Sequence, residues 1–210
     1  MTFDNTSVLK SKLRWNSIAK PLGGLGLLED MVSKIAGIQR TEDVSITHRT
    51  AVIMCAANGV VSEGVSQSDS RVTAQVAKEI AAGRSSVNML ANQFSTEILT
   101  VDIGIDSDIY CSNIINKKIA YGTRSIVKGP AMDPSQARKA ISNGIEIVYD
   151  LCRNGTDIII TGEMGIGNTT TSAAIASLIL GIPAEITTGR GAGLDSSGMS
   201  RKIAAIHRAI

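Results

Sequence analysis

Apolar positions along the chain follow two rhythms. Residues 6–18 and 25–38 carry apolar side chains at helical spacing, and Lys20-Pro21-Leu22-Gly23-Gly24 between them is a string that no helix crosses cheaply. They predict a helical hairpin. Further on the rhythm changes to short, mostly apolar runs at 51–56, 98–104 and 157–161, the form of strands buried on both faces of a parallel sheet.

Helical patterns fill the intervals. Ser68 reads as an N-cap for a helix through Ala82, with Val72, Val76 and Ile80 on one face and Gly83 closing it. A short helix at 86–93 follows. Asp133-Pro134-Ser135-Gln136 is a helix start with its capping box in place, and Ala137, Ala140, Ile141, Ile145, Val148 and Cys152 recur until Asn154-Gly155. Another helix spans 169–180, ended by Gly181 and Pro183. The last begins at Asp195 and carries an Ile203, Ile206, Ile210 stripe with no stop signal, which predicts that the stripe needs a covering surface from elsewhere. Residues 106–128 are polar and aperiodic, and read as an excursion loop. Strands alternating with helices predict an α/β fold, a mainly parallel, Rossmann-like sheet flanked by helices, behind an amino-terminal helical segment at 1–40, with the α/β domain at 41–210.

Composition narrows the chemistry. With 21 Lys and Arg against 19 Asp and Glu, the net charge of +2 makes no field for nucleic acid or an anionic membrane, and aromatic residues at 3% leave no stacking platform. The three cysteines and two histidines show no ligand spacing, so no metal site is expected. No apolar run approaches the roughly 18 residues of a membrane span, and no secretory signal pattern opens the chain; a cytoplasmic protein with reduced thiols is expected.

In a parallel sheet, ligands gather beyond the carboxyl ends of the strands. There, Gly162-Glu163-Met164-Gly165-Ile166-Gly167-Asn168-Thr169-Thr170 joins a strand to a helix, and its glycines would let backbone N–H groups close on an anion. A tight strand-to-helix turn is the alternative. No Gly-Lys-Ser/Thr follows, so nucleoside triphosphate hydrolysis lacks its lysine. A dinucleotide fingerprint half-fits: Thr170 stands where a third glycine belongs, although Glu185 lies near the ribose-binding offset. A second cluster, Gly189-Arg190-Gly191-Ala192-Gly193, precedes the helix bearing Arg201 and Lys202. Lys202 reads either as a phosphate ligand or as a solvated lysine, and Glu163 either as a partly desolvated base or as a cap for Asn168 and Thr169.

Taken in order, Lys20 to Gly26, Cys55 to Val65, Val72-Thr73-Ala74-Gln75, Val101 to Gly104, Gly129-Pro130-Ala131-Met132, Gly162 to Thr170 and Gly189 to Lys202 resemble the nicotinate-nucleotide:dimethylbenzimidazole phosphoribosyltransferases of cobalamin lower-ligand assembly. The resemblance spans nearly the whole chain. It implies a pentosyltransferase that moves 5-phosphoribosyl from nicotinate mononucleotide to 5,6-dimethylbenzimidazole or a related aromatic base, giving α-ribazole 5′-phosphate and nicotinate, without cofactor or metal, as a homodimer. By residue, it places Glu163, Gly165, Asn168 and Thr169 in the nucleotide loop, Gly189, Gly191 and Lys202 at the phosphate, and Ser68 and Gln75 in the base-binding segment. Residues 41–210 would thus bind nucleotide and base. Two departures stand out. Many relatives have Ala-Asp-His-Gly or Ala-Asp-Asn-Gly where this chain has Ala56-Ala57-Asn58-Gly59, and Gly-Ser-Leu-Gly-Arg where it has Gly23-Gly24-Leu25-Gly26-Leu27. The family is also longer, and the resemblance puts its principal general-base glutamate beyond Ile210, leaving Glu163 a supporting base. A catalytically incompetent nucleotide-binding subunit that needs a partner is the alternative, and a dinucleotide-dependent oxidoreductase the third reading.

Overall fold

The computed structural model describes residues 3–210; residues 1 and 2 of the expected amino-terminal segment lie outside the described residues. These fall into two compact units, the first ending at Thr47 and the second running His48–Ile210. The first holds α1 (Asn5–Ser17) and α2 (Leu27–Gln39). Asp4 caps α1, accepting the Thr6 and Ser7 N–H groups, which quenches donors a helix start leaves orphaned. The hairpin closes through small side chains: Ser11 and Ser33, both buried, share a hydrogen bond of 3.2 Å, and Ala36 and Gly37 are buried beside them. Leu9, Leu13, Leu27, Met31 and Ile38 stay exposed. Small residues let the two helices approach, so the larger apolar side chains were displaced to the outside.

The second unit is the α/β body. Its elements are β1 (Arg49–Ala56), α3 (Arg71–Ala81), α4 (Ser86–Gln93), β2 (Thr96–Gly104), β3 (Ile114–Asn116), α5 (Pro134–Arg153), β4 (Ile158–Met164), α6 (Asn168–Leu180), α7 (Ala184–Thr187) and α8 (Ser196–Ala209). The strands form one sheet in the order β3-β2-β1-β4, every pair parallel. Because side chains alternate across a strand, β1 feeds both faces. Ala51, Ile53 and Cys55 pack against Ala74, Ala77 and Ile80 of α3, while Val52 meets Val101 and Ile147 of α5. Helices therefore cover both faces, as the apolar runs predict.

Several local expectations are corrected. The 106–128 excursion contains β3, whose three residues are too few to print a periodicity. Ser68 is not the N-cap of α3: Ser70 occupies that position, and Asp69 accepts the Arg71 N–H at 2.9 Å, drawing the chain through one more turn first. The 157–161 run is not buried on both faces, because among the described residues β4 lies at the sheet edge and pairs only with β1, and Ile160 and Thr161 are exposed. Nor does the last helix present an open stripe. Ile206 is fully buried and Ile203 packs with it against Ala173 and Ala174 of α6 and Ala184 of α7, which leaves only Ile210 exposed. The open apolar surface belongs instead to α6, through Ile175, Leu178 and Ile179, and to α5, through Ile141, Ile145 and Tyr149.

Candidate functional site

Strand order decides where a ligand can enter. From β1 the chain crosses to β2 on one side, whereas β4 lies on the other, which puts the switch in strand order at the carboxyl ends of β1 and β4. The β1 loop carries Asn58. The β4 loop carries Gly165, Ile166 and Gly167, then enters α6. Gly165 passes so close to β1 that a Cβ there would stand 2.2 Å from the Ala56 carbonyl oxygen, a distance no side chain survives. A cavity of about 280 Å³ lies against this loop, walled by Gly165, Gly167, Asn168 and Thr169 on one side and by Arg190, Gly191 and Lys202 on the other.

Lys202 dominates the electrostatics. It is 1% exposed, and its Nζ donates to Thr169 Oγ1 at 2.7 Å and to the Gly189 carbonyl at 2.9 Å. Both acceptors are neutral, and among the described residues Lys202 forms no ion pair. Burial pulls its pKa below the ordinary lysine value, since removing an ammonium from water disfavours its charged form. Gly191, at φ +57, lets its backbone crowd this group: a Cβ there would meet Thr169 Oγ1 at 2.9 Å and Nζ at 3.4 Å. Among the described residues, the N–H groups of Gly167 and Gly191 donate to no protein acceptor. A buried cation that shares a cavity with two unpaired backbone donors has the chemistry to receive an anion.

Glu163, Asn168, Thr169, Gly189 and Lys202 come together in one hydrogen-bond chain. Asn168 Nδ2 donates to Glu163 Oε1, Asn168 Oδ1 accepts the Thr169 N–H at 2.6 Å, and Thr169 Oγ1 leads on to Lys202 and Gly189. Glu163 itself is exposed on edge strand β4; of its two readings the desolvated base is not met, and its contact is the Asn168 amide. Ser68 and Gln75 stand apart from this cavity. Gln75 is exposed on α3 and Ser68 is half-buried, whereas Ser66 and Gln67 reach the wall, with Gln67 Nε2 donating to the Gly193 carbonyl at 2.6 Å. Arg190 was passed over by sequence reasoning although it sits between two cradle glycines, the one signal that could have marked it. Glu185 lies on α7 and meets His207 at 2.7 Å, far in role from the strand-end carboxylate of a dinucleotide site.

A second cavity, about 330 Å³, opens beyond β1 and β2 and is lined by Gly104, Tyr121, Arg124 and Met132. It has no buried cation. Among the described residues no group of three or more His, Cys, Asp or Glu could hold a metal, and no helix is long and apolar enough to cross a membrane.

Comparison with known proteins agrees with this fold. A phosphoribosyltransferase family model matches residues 2–210. The nicotinate-nucleotide–dimethylbenzimidazole phosphoribosyltransferase of Ruminiclostridium cellulolyticum is 45% identical over 201 residues, 96% of this chain and 57% of that protein. Its counterpart from Acetivibrio thermocellus is 44% identical over 94% of this chain and 56% of its own length. The crystal structure of the enzyme from Thermus thermophilus superposes with a TM-score of 0.90 at 30% identity, covering 98% of this chain and 61% of that one. The chain thus spans a little over half the length of these curated relatives. With a family model matched along nearly its whole length, and the fold of a solved relative superposing on it, this chain belongs to the nicotinate-nucleotide:dimethylbenzimidazole phosphoribosyltransferase family.

Proposed function

We propose that residues 41–210 bind nicotinate mononucleotide in the cavity between the β4 loop and the Arg190–Gly191 segment with Lys202, and present its ribose for transfer to a benzimidazole-type base. One observation carries this reading: the buried Lys202 ammonium has only neutral acceptors and shares a cavity wall with Gly167 and Gly191, whose N–H groups are unpaired among the described residues. A 5′-phosphate supplies the missing negative charge. Held there, it fixes C1′ for attack, the orientation part of catalysis. The acceptor nitrogen forms a bond to C1′ as the bond from C1′ to the pyridinium nitrogen breaks, and the electron pair returns to that ring nitrogen, neutralising the ring as nicotinate departs. The acceptor's proton goes to a carboxylate, a contribution of about 10² to 10⁴ in rate.

Within this scheme Glu163 orients Asn168 through one carboxylate oxygen, and its other oxygen, bonded by no group among the described residues, is open to a proton. Asn168, Thr169, Gly165, Gly189 and Gly191 shape the phosphate pocket, while Ser68 and Gln75, outside that pocket, belong to the acceptor side. Titration calorimetry of the 210-residue chain with nicotinate mononucleotide, its dephosphorylated riboside and NAD tests the reading. The mononucleotide should bind tightest. Preference for NAD, or equal affinity for the mononucleotide and the riboside, would refute it.

A further inference from the structure

Beyond Met164, where β4 last pairs with Cys55 of β1, the chain enters the nucleotide loop and loses the ladder that held it. Two side chains supply the replacement. Thr73 Oγ1, from the first turn of α3, accepts the Ile166 N–H at 3.0 Å, and Asn58 Nδ2, from the β1 loop, donates to the Ile166 carbonyl at 3.1 Å. Thr73 is fully buried, and among the described residues this is the one hydrogen bond its hydroxyl makes. Space on either side is closed. A Cβ on Gly165 would collide with the Ala56 carbonyl, and one on Gly167 would stand 3.2 Å from the Asn58 Cβ.

We infer that Thr73 and Asn58 are positioning residues for the anion cradle, gripping both polar groups of Ile166 so that the next N–H, that of Gly167, stays unpaired at the cavity wall. A loop residue tied at only one group could turn about its own φ and ψ, and Gly167 has the freedom to follow. Tied at both, it cannot. Neither side chain needs to touch the ligand: both act through the backbone between them. The bond from Thr73 also links α3, the helix that carries Gln75, to the donor pocket, so a shift on the acceptor side is felt at the phosphate.

This inference rests on the reading of the cavity as a phosphate site, and its test separates the two. Thr73→Val keeps the shape of the side chain and removes the acceptor; Thr73→Ser restores it. In the 210-residue chain, Thr73→Val should speed hydrogen exchange at the Ile166 amide and weaken nicotinate mononucleotide binding roughly tenfold, the worth of about one hydrogen bond. Riboside binding should change by less than about twofold, and Thr73→Ser should restore both readouts. Asn58→Ala should reproduce the phosphate-selective loss and stands in if Thr73→Val does not fold. Lys202→Met, measured alongside, reports on the site itself. If Lys202→Met shows a phosphate-selective loss while Thr73→Val shows none, weakens both ligands equally, or is not rescued by serine, the positioning role is overturned and the site reading stands. If Lys202→Met shows no such loss, the site reading falls and takes this inference with it.

Discussion

Replacing Lys202 by methionine should leave the fold nearly as stable while stripping the site of its ligand, a pairing of outcomes that a structural lysine could not produce. Methionine keeps the length and apolar stem of the side chain and removes only the ammonium. In the free protein that ammonium is a liability: it is buried, and its acceptors are a hydroxyl and a carbonyl, Thr169 Oγ1 and Gly189 O, on exposed residues where water can replace it. Lost hydrogen bonds and relieved desolvation thus nearly cancel, and urea unfolding should shift by less than about 1 kcal/mol. In the complex the balance reverses. A charge-assisted contact to phosphate is worth about 1.5 to 3 kcal/mol, so nicotinate mononucleotide should bind roughly tenfold to a hundredfold more weakly, with the riboside unaffected. Alkaline pH gives the same answer by another route. Burial lowers the Lys202 pKa in the folded chain, so the unfolded state binds more protons in the window between the folded and unfolded values, and free-protein stability from this group rises with pH there. Phosphate favours the charged form, so mononucleotide affinity should fall through the same window, with proton uptake on binding. The reasoning is refuted if Lys202→Met destabilises by several kcal/mol and weakens both ligands alike.

Four other outcomes are expected. Gly165→Ala must push against the Ala56 carbonyl, and should cost about 1 to 3 kcal/mol in urea unfolding; a neutral substitution would mean the loop is not pinned to β1. Glu163→Gln keeps an acceptor for Asn168 and should hold mononucleotide affinity within about threefold, whereas Glu163→Leu orphans the amide and should lose more, both read by calorimetry. Lys118 and Asp102 form a nearly buried pair at 3.0 Å, and Lys118 also donates to the Ile105 and Ser107 carbonyls, so Lys118→Met alone should destabilise by about 3 to 5 kcal/mol, and the Asp102→Asn, Lys118→Met double variant by less than the sum of the two. Burial, with the charges of Asp102 and Glu163 nearby, pushes the Cys55 thiol up to about 12 from 9.0; its contribution to stability is present below about pH 9 and is lost as pH rises towards 12, and a thiol reagent at pH 8 should label exposed Cys152 before Cys55.

Local signals carried far into this molecule. Asp133, Pro134 and Gln136 spell out the start of α5, and the helix begins there with its capping box closed. The apolar runs at β1 and β2 announce a sheet covered on both faces because their composition alone excludes water. The glycine-bearing segment after β4 marks the site for a similar reason: only glycine lets the backbone pass a neighbouring carbonyl as closely as Gly165 does. These are properties of a few consecutive residues, and the amino-acid order states them directly.

What tertiary structure alone decided is which distant groups meet and how much water reaches them. Lys202 reads either as a solvated lysine or as an anion ligand until α8 packs on α6 and buries it beside Thr169, a neighbour 33 residues away. Thr73 and Asn58 carry no local mark of their task, since Ile166 lies 93 and 108 residues from them and the bonds exist only once β1, α3 and β4 are side by side. Glu163 is decided the other way, as the partner of Asn168 and not a desolvated carboxylate. Its position between a strand and glycines leaves both readings open, because a strand's burial depends on whether it lies inside the sheet or at the edge, and hydrophobic pattern is silent on strand order. The stripe of α8 was misjudged on the same ground: the short helix α7, four residues following Pro183, helps cover Ile206, and a helix of one turn leaves no periodicity in the sequence. Patterns of a few residues report backbone geometry and apolar content. Burial, charge environment and partnership are sums over the whole fold, so they were settled only when it closed.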